Sequence, residues 1–181
     1  MTPTQVLTKL GVPSTLVHMK DRLYVDHLLS VYAGLESWGM PVWVCMAGLL
    51  HSIYGTDRFS FWRLTLDQRK NVSDLVGADA ELLAYVNCAL YRGEFDYKVI
   101  FGSDRVISNR FGGVLRFADD MNLLYLYAVQ LADWLDQVQI TGEWAYRYES
   151  YRRMADKLGG PVLATYLWVY RNRARTTGAV E

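Results

Sequence analysis

Apolar side chains recur at helical spacing along most of the chain, and this periodicity constrains the fold more than any other feature. Val31, Tyr32 and Leu35 lie three, four and seven residues after Leu28, as on one face of a helix. The segment from Val42 to Ile53 is apolar nearly all round, which is typical of a helix in the middle of a domain. Nowhere do apolar and polar residues alternate strictly between turn residues. The sequence therefore predicts an all-α fold.

The helical pattern is interrupted at a few glycines and prolines, which predict the order of the helices. A first helix is predicted from Ser14, with a break near Lys20, and Gly39 and Pro41 separate it from the helix at 42–53. The later predictions are a helix on each side of Gly77, a long loop over 93–113 in which a short helical turn could form, a long helix to about residue 138, and two helices within 143–175.

Length and composition predict a single domain of 181 residues, with a core over about 14–140 and added C-terminal helices over 143–175. The tail interleaves aromatic and arginine residues, as proteins that bind single-stranded nucleic acid do. Because Glu149 and Asp156 lie among them, we instead expect a helical pair that covers the core or forms a homodimer interface.

The charge balance excludes a general nucleic-acid role, since 19 Lys and Arg residues are matched by 19 Asp and Glu residues. The apolar run from Val42 to Leu50 is shorter than the roughly 20 residues that a membrane span needs, so no membrane association is expected. No secretory leader is recognisable, which predicts a cytoplasmic protein. Cys45 and Cys88 lie in apolar helical patterns, as reduced core thiols do.

Two of the three histidines are predicted to meet across a helical pair. His27 lies 12 residues before Gly39, and His51 lies 10 residues after Pro41. If the two helices are antiparallel, residues at similar distances from the turn are level with each other. The alternative is two separate helix histidines whose nitrogens bind backbone or tyrosine groups.

The segments "RLYVDHLLSVYAGLESWGMPVWVCMAGLLHSIYGT" and "LYAVQLADWLDQVQ" resemble the HD-domain superfamily of metal-dependent helical phosphohydrolases. Their spacing is similar to that in the hydrolase domain of stringent-response alarmone enzymes, over roughly 16–140, and "HSIYGT" resembles an uncharacterised HD-like subfamily. The resemblance implies an HD-like helical bundle in which His27, His51 and Asp133 are metal ligands.

The chain departs from the HD pattern at two positions. Where the superfamily has a His-Asp pair, this chain has His51 followed by Ser52, and a hydroxyl is a poor substitute for a bridging carboxylate. Where the alarmone hydrolases have a Glu-Asp pair, this chain has Gly55 and Thr56. The resemblance therefore supports the three metal-ligand positions more strongly than it supports phosphohydrolase activity.

His18 is a candidate fourth ligand or a proton-transfer residue. It lies nine residues before His27, which on a straight helix is the opposite face, so it joins the site only if the chain bends near Lys20 to Arg22. Three histidines and Asp133 would then form a mononuclear site for zinc, iron or manganese.

Four further residues are candidates for catalysis or substrate binding. Tyr54 could donate a proton, or it could instead pack on Trp62. Arg69 and Arg110 are candidates for bidentate binding of an anionic group, and Arg22 is a third candidate for substrate binding. Arg22 or Arg110 could alternatively pair with Asp133, because a buried carboxylate needs a partner.

These residues predict a small enzyme, a metal-dependent hydrolase or lyase that acts on a polar or anionic metabolite, possessing a phosphate or a carboxylate group. One alternative is a catalytically inactive HD-like module that binds a nucleotide or metabolite. Another is a mononuclear iron oxygenase.

Overall fold

The computed structural model describes residues 1–173, and within them the chain forms nine helices and two small two-stranded sheets. The helices are α1 (Pro3–Lys9), α2 (Tyr24–Ser37), α3 (Val42–Leu49), α4 (Arg69–Val76), α5 (Ala78–Ala89), α6 (Arg92–Phe95), α7 (Asp120–Thr141), α8 (Tyr148–Leu158) and α9 (Gly160–Arg171). The antiparallel sheets are β1 (Val17–Met19) with β2 (Arg22–Leu23), and β3 (Val106–Ser108) with β4 (Val114–Arg116). A 3₁₀ turn spans Leu66–Gln68 and a π-helical turn spans Asp96–Ile100. The predicted all-α class is confirmed.

Three helices form the centre of the bundle, with α2 packed against both α3 and α7, and α3 packed against α7 and α5. Gly39, with a φ of 73°, ends the α2 segment, and Pro41 caps the start of α3. The two helices approach closely at Gly48, where an added Cβ would overlap the side chain of Leu35. Residues near the ends of α2 and α3 that lie far from the turn are thereby brought level with each other.

Over residues 1–173, the core comprises two groups of buried side chains. One fills the space around α7, α8 and α9, and the other lies beneath α1, α2, α3 and α4. Tyr32, Tyr85 and Phe111 pack against both groups. The buried cluster described below lies near the contact between them, because its side chains come from α2, α7 and the end of α3.

The predicted helix from Ser14 is wrong in its first turns, since residues 17–23 form the β1–β2 hairpin and α2 begins at Tyr24. Lys20 adopts a φ of 45°, in the left-handed region, and this lets the chain reverse between the two strands. The Tyr24 N–H donates to the Leu16 carbonyl at 2.7 Å and closes the hairpin onto the start of the helix.

Three other predicted boundaries need correction. The helix predicted over 42–53 ends at Leu49 and is followed by turns. The segment 93–113, predicted as a long loop in which a short helical turn could form, contains most of α6, the π-helical turn and also β3. Apolar residues such as Phe95 and Ile107 are buried there, so this segment belongs to the core. The final helix ends at Arg171, and the predicted continuation over 174–175 lies outside the described residues.

Within residues 1–173, none of the helices combines the length and the apolar character that crossing a bilayer requires.

Candidate metal centre

Three buried side chains from distant parts of the chain converge at one point. His27 comes from the first turn of α2, His51 from the turn after α3, and Asp133 from the middle of α7. Their residues are 0%, 2% and 7% exposed, respectively. The antiparallel pairing predicted for α2 and α3 is confirmed, because the Nε2 atoms of His27 and His51 lie 3.3 Å apart.

The three facing atoms form a nearly equilateral triangle. Asp133 Oδ1 lies 3.2 Å from Nε2 of His27 and 3.3 Å from Nε2 of His51. Two ligands on a tetrahedral ion are separated by about 3.3 Å when each lies about 2.0 Å from the metal. The triangle therefore has the dimensions of one face of a tetrahedral site, and these three residues lie close enough to bind one metal ion.

Hydrogen bonds from the Nδ1 atoms of both histidines fix the rings so that Nε2 points into the cluster. His27 Nδ1 lies 2.7 Å from Asp136 Oδ2, and His51 Nδ1 lies 2.8 Å from the Gly48 carbonyl oxygen. Because a carboxylate and a carbonyl only accept hydrogen bonds, both Nδ1 atoms carry protons. Two imidazole lone pairs and a carboxylate oxygen then face one another, and such a group of acceptors needs a proton or a cation between them.

The titration of the cluster reflects this need for positive charge. Burial disfavours the charged form of His27, but hydrogen bonds to Asp133 and Asp136 outweigh it and raise its pKa above the ordinary value. Burial likewise disfavours ionised Asp133, yet the pKa of this carboxyl falls well below its usual range because of the charge of His51 and a hydrogen bond from His27. A proton on Nε2 of His27 can therefore take the place of a cation in this cluster.

A second layer of contacts orients His27. Asp136 Oδ2 also accepts a hydrogen bond from Arg22 Nη1 at 2.6 Å, and Arg22 Nη2 donates to Ser30 Oγ at 2.6 Å. Arg22 thus balances the charge of Asp136, which itself holds the His27 ring. This chain of contacts is the arrangement that commonly supports a metal-binding histidine.

The cluster forms part of the wall of a cavity of about 210 Å³. His51 and Asp133 line this cavity, whereas His27 lies behind them. Arg92 also lines it, with Nη2 at 4.0 Å from Asp133 Oδ2 and the guanidinium bound to Asp57. An ion held by the three ligands would therefore have one side open toward the cavity, as catalytic sites do.

His18 reaches the site because the chain bends where the prediction requires it. The β1–β2 hairpin places its ring on that of His27, with centroids 4.7 Å apart and planes 29° apart. His18 lines the cavity, and both its ring nitrogens are buried without a hydrogen-bond partner in the described chain. Burial, followed by the charge of His27, lowers its pKa to about 4. Among the described residues, the group that could hold an ion is limited to the other three side chains.

Ser52 and Tyr54 both make hydrogen bonds inside the protein. Ser52 lines the cavity, and its hydroxyl lies 2.8 Å from the hydroxyl of Tyr24. Tyr54 is buried and donates to Glu81 at 2.9 Å, and burial, then the hydrogen bond with Glu81, raises its pKa. Tyr54 is absent from the cavity wall, so its predicted proton transfer would need a different access route.

The three arginines predicted to bind substrate have partners within the protein. Arg69 forms a bidentate pair with Glu81 at 2.7 and 2.8 Å, and Arg110 donates to the Cys88 carbonyl at 2.5 Å. Arg22 binds Asp136 rather than Asp133. None of these three guanidinium groups contributes to the described cavity wall.

Asp136 and Arg92 are not among the site residues predicted from the sequence. Asp136 lies three residues after Asp133 in "LADWLDQ", so helical spacing alone places it one turn further along α7, and the signal was present. Arg92 follows a β-bridge residue, Leu90, and reaches the site through its ion pair with Asp57. No local pattern reveals that contact.

Fold and site together define an all-α protein in which two buried histidines and one carboxylate meet beside a cavity, with His51 and Asp133 in its wall. A family described as a domain of unknown function, DUF6817, matches residues 6–92, slightly less than half of the chain. The match includes His18, His27 and His51, whereas Asp133 lies outside it. No curated protein and no solved structure matches the chain.

Proposed function

We propose that this chain is a metal-dependent hydrolase or lyase on an HD-like helical scaffold, which acts on a small polar or anionic metabolite. The observation that carries the proposal is the triangle of acceptor atoms formed by His27, His51 and Asp133, with edges of 3.2–3.3 Å. Its donor set and dimensions fit a divalent zinc, iron or manganese ion.

The surrounding residues support an enzymatic role more than a purely structural one. Structural zinc sites are closed by four protein ligands, whereas here three residues meet beside a cavity. A divalent ion bound there would polarise a substrate oxygen or activate water. Arg92 lines the same space, and although Asp57 balances its charge, its Nη2 could donate a hydrogen bond to an anionic group bound there.

His18 is the proton-transfer residue that the geometry favours. Its ring lines the cavity and has two nitrogens without partners in the described chain. Because burial lowers its pKa to about 4, the ring is neutral at physiological pH and can accept a proton from a bound water or substrate. Tyr151, whose pKa is raised by burial, lines the cavity as a protonated hydroxyl that can donate a hydrogen bond.

Metal binding is the first test of this function. Protein stripped of metal would be dialysed against zinc, manganese or iron(II), the last without oxygen, and the bound ion counted by elemental analysis. We expect one ion per chain in the wild type, none in His51→Ala, and one in the matched control Ser52→Ala, which alters the adjacent residue. A wild-type chain that binds none of the three ions would contradict the proposal.

Turnover is the second test. The zinc- and manganese-loaded protein would be incubated with panels of phosphate esters, carboxylic esters, amides and hydroxy acids, and products followed by mass spectrometry. Product formation that Asp133→Asn abolishes would support the enzyme. Ligand-induced thermal stabilisation with no product would instead support an inactive binding module.

A second candidate function is a mononuclear iron oxygenase. Two histidines and one carboxylate with open positions are also the donor set of non-haem iron(II) oxygenases. Oxygen consumption by the iron-loaded protein that depends on an added metabolite would favour this function over hydrolysis or elimination.

A further inference from the structure

The cavity beside the cluster has a distinctive balance of charge. Arg22 balances Asp136 at 2.6 Å, and Asp57 balances Arg92, so these four groups add no net charge to the site. Of the two charges on a divalent ion, Asp133 would neutralise only one. A single positive charge would therefore remain at the inner end of the cavity, and it would be matched by a substrate with one negative charge.

The cavity offers few cations that could bind a phosphate dianion. Among the described residues that line it, the arginines are Arg58 and Arg92, and no lysine is present. Arg92 is already paired with Asp57, and Arg58 lies 3.9 Å from Glu143 at the mouth. A carboxylate suits this environment better than a doubly charged phosphate ester, which would carry an unbalanced charge.

Aromatic rings form much of the rest of the wall. Phe59, Phe61, Trp134, Tyr146 and Tyr151 all line the cavity. Phe61 is 84% exposed, with its ring edge-on to Phe59 at a centroid distance of 5.8 Å. Elsewhere in the wall, the guanidinium of Arg58 lies 4.7 Å above the ring of Tyr146. A flat apolar group entering here would cover the exposed face of Phe61 and contact several rings at once.

The volume limits the size of the ligand. Pockets for drug-sized molecules enclose about 300–1,000 Å³, whereas this cavity encloses about 210 Å³. A molecule with one ring and one short polar arm is the appropriate scale.

We propose that the cavity binds a small aromatic monocarboxylate, with the carboxylate directed toward His51, Asp133 and Arg92 and the ring held among the aromatic side chains at the mouth. The inference rests on the proposed metal site, because the bound ion supplies the unbalanced positive charge. It adds a substrate class to that function.

The test uses calorimetric titration of the zinc-loaded full chain, after the zinc content has been measured. The probes are benzoate, cyclohexanecarboxylate, phenyl phosphate and benzyl alcohol. We expect benzoate to bind most tightly, and cyclohexanecarboxylate to bind about two- to tenfold more weakly because it lacks the aromatic contacts. Benzyl alcohol, which has the ring without the charge, should bind most weakly.

Two exposed aromatic side chains provide matched variants. Phe61→Ala should weaken benzoate binding about two- to tenfold while leaving zinc content unchanged. Tyr97→Ala removes a ring that is 79% exposed and lies outside the cavity wall, and it should change neither quantity.

The possible failures can be distinguished. A chain that takes up zinc but binds phenyl phosphate as tightly as benzoate, or does not bind benzoate at all, would overturn this inference and leave the metal site standing. Equal benzoate affinities in Phe61→Ala and Tyr97→Ala would overturn the placement of the ring. A chain that takes up no zinc would overturn both the metal site and the inference.

Discussion

The inward orientation of two imidazole lone pairs depends on contacts that lie behind the rings. His51 is held by a carbonyl of its own chain segment, whereas His27 is held by Asp136, a side chain from α7. A substitution can remove the second contact and leave the three ligands in place. The role of the supporting carboxylate can therefore be measured separately from that of the ligands.

Asp136→Asn is expected to weaken metal affinity about 10- to 100-fold without abolishing binding, which is the usual effect of losing a partner behind a metal-binding histidine. The amide oxygen can still accept the hydrogen bond from His27 Nδ1, but it has no full negative charge and so no longer balances Arg22. Competition with a chelating dye would measure the affinity. Asp26→Asn is the matched control, since Asp26 precedes His27 but is exposed, and equal affinities in the two variants would contradict the assigned role.

The lowered pKa of His18 predicts how the stability of the metal-free protein depends on pH. Its pKa in the folded protein is about 4, below the unfolded value of about 6.5. Between these values the unfolded chain binds a proton that the folded chain does not, so His18 makes the folded state lose stability as the pH falls from 6.5 toward 4. Above pH 6.5 this contribution no longer changes with pH.

The variant His18→Phe keeps a ring against His27 and removes this titration. Urea unfolding at pH 7.5, 5.5 and 4.5 should show a smaller loss of stability in the variant than in the wild type over the acidic interval. Parallel curves for the two proteins would show that His18 titrates normally in the folded state.

The close approach of α2 and α3 depends on Gly48. An added Cβ there would overlap Leu35 and lie 3.3 Å from Val31, and both residues are fully buried, so neither can move aside freely. Gly34 lies on α2, next to Leu35, and tolerates a side chain better. An added Cβ there would lie 4.0 Å from the Cβ of Ala132, which is an ordinary contact. Both substitutions to alanine gain the same helix propensity, and only one of them crowds the interface.

Gly48→Ala should therefore unfold about 1–3 kcal/mol more easily than Gly34→Ala in urea, which is the typical cost of overpacking a core. Because Gly48 also positions His51, its substitution should weaken metal binding as well. If Gly48→Ala proves as stable as Gly34→Ala, the helices are not in close contact at this point.

The sequence predicts helices well where the periodic apolar face is the one that packs. Apolar spacing predicts the α2–α3 pair, α4, α5 and α7. Gly39, Pro41 and Gly77 predict where these helices end or begin, because glycine and proline act locally on the backbone. The β1–β2 hairpin does not follow, since it depends on a left-handed conformation at Lys20, a residue with no special preference for it. The segment 93–113 is also missed, because its burial comes from distant residues.

The candidate site also contains residues that the sequence predicts and residues whose contacts it does not predict. His27 and His51 are predictable from their distances to one turn, and Asp133 from its resemblance to a known motif. Arg69 and Tyr54 show the limit of residue type as a guide, because both bind Glu81, and the sequence does not indicate this partner. Charged residues in apolar segments find partners through tertiary contacts, and one sequence does not reveal these.

Because its ligands come from three separate segments, a bound ion should stabilise the folded chain as a whole. The unfolded chain does not assemble the site, so an ion present at 100 times its dissociation constant adds about 2.7 kcal/mol. For a chain of this size, adding EDTA should then lower the melting temperature of the zinc-loaded protein by about 5–10 °C. His51→Ala should show no such shift, and an equal shift in both proteins would place the stabilising ion elsewhere.

The position of the ion is the most direct test of the metal site. A crystal of the zinc-loaded protein, measured on both sides of the zinc absorption edge, should show one strong anomalous peak about 2.0–2.1 Å from Nε2 of His27 and His51 and from an oxygen of Asp133. A zinc-loaded crystal with no anomalous density between these three side chains would contradict it.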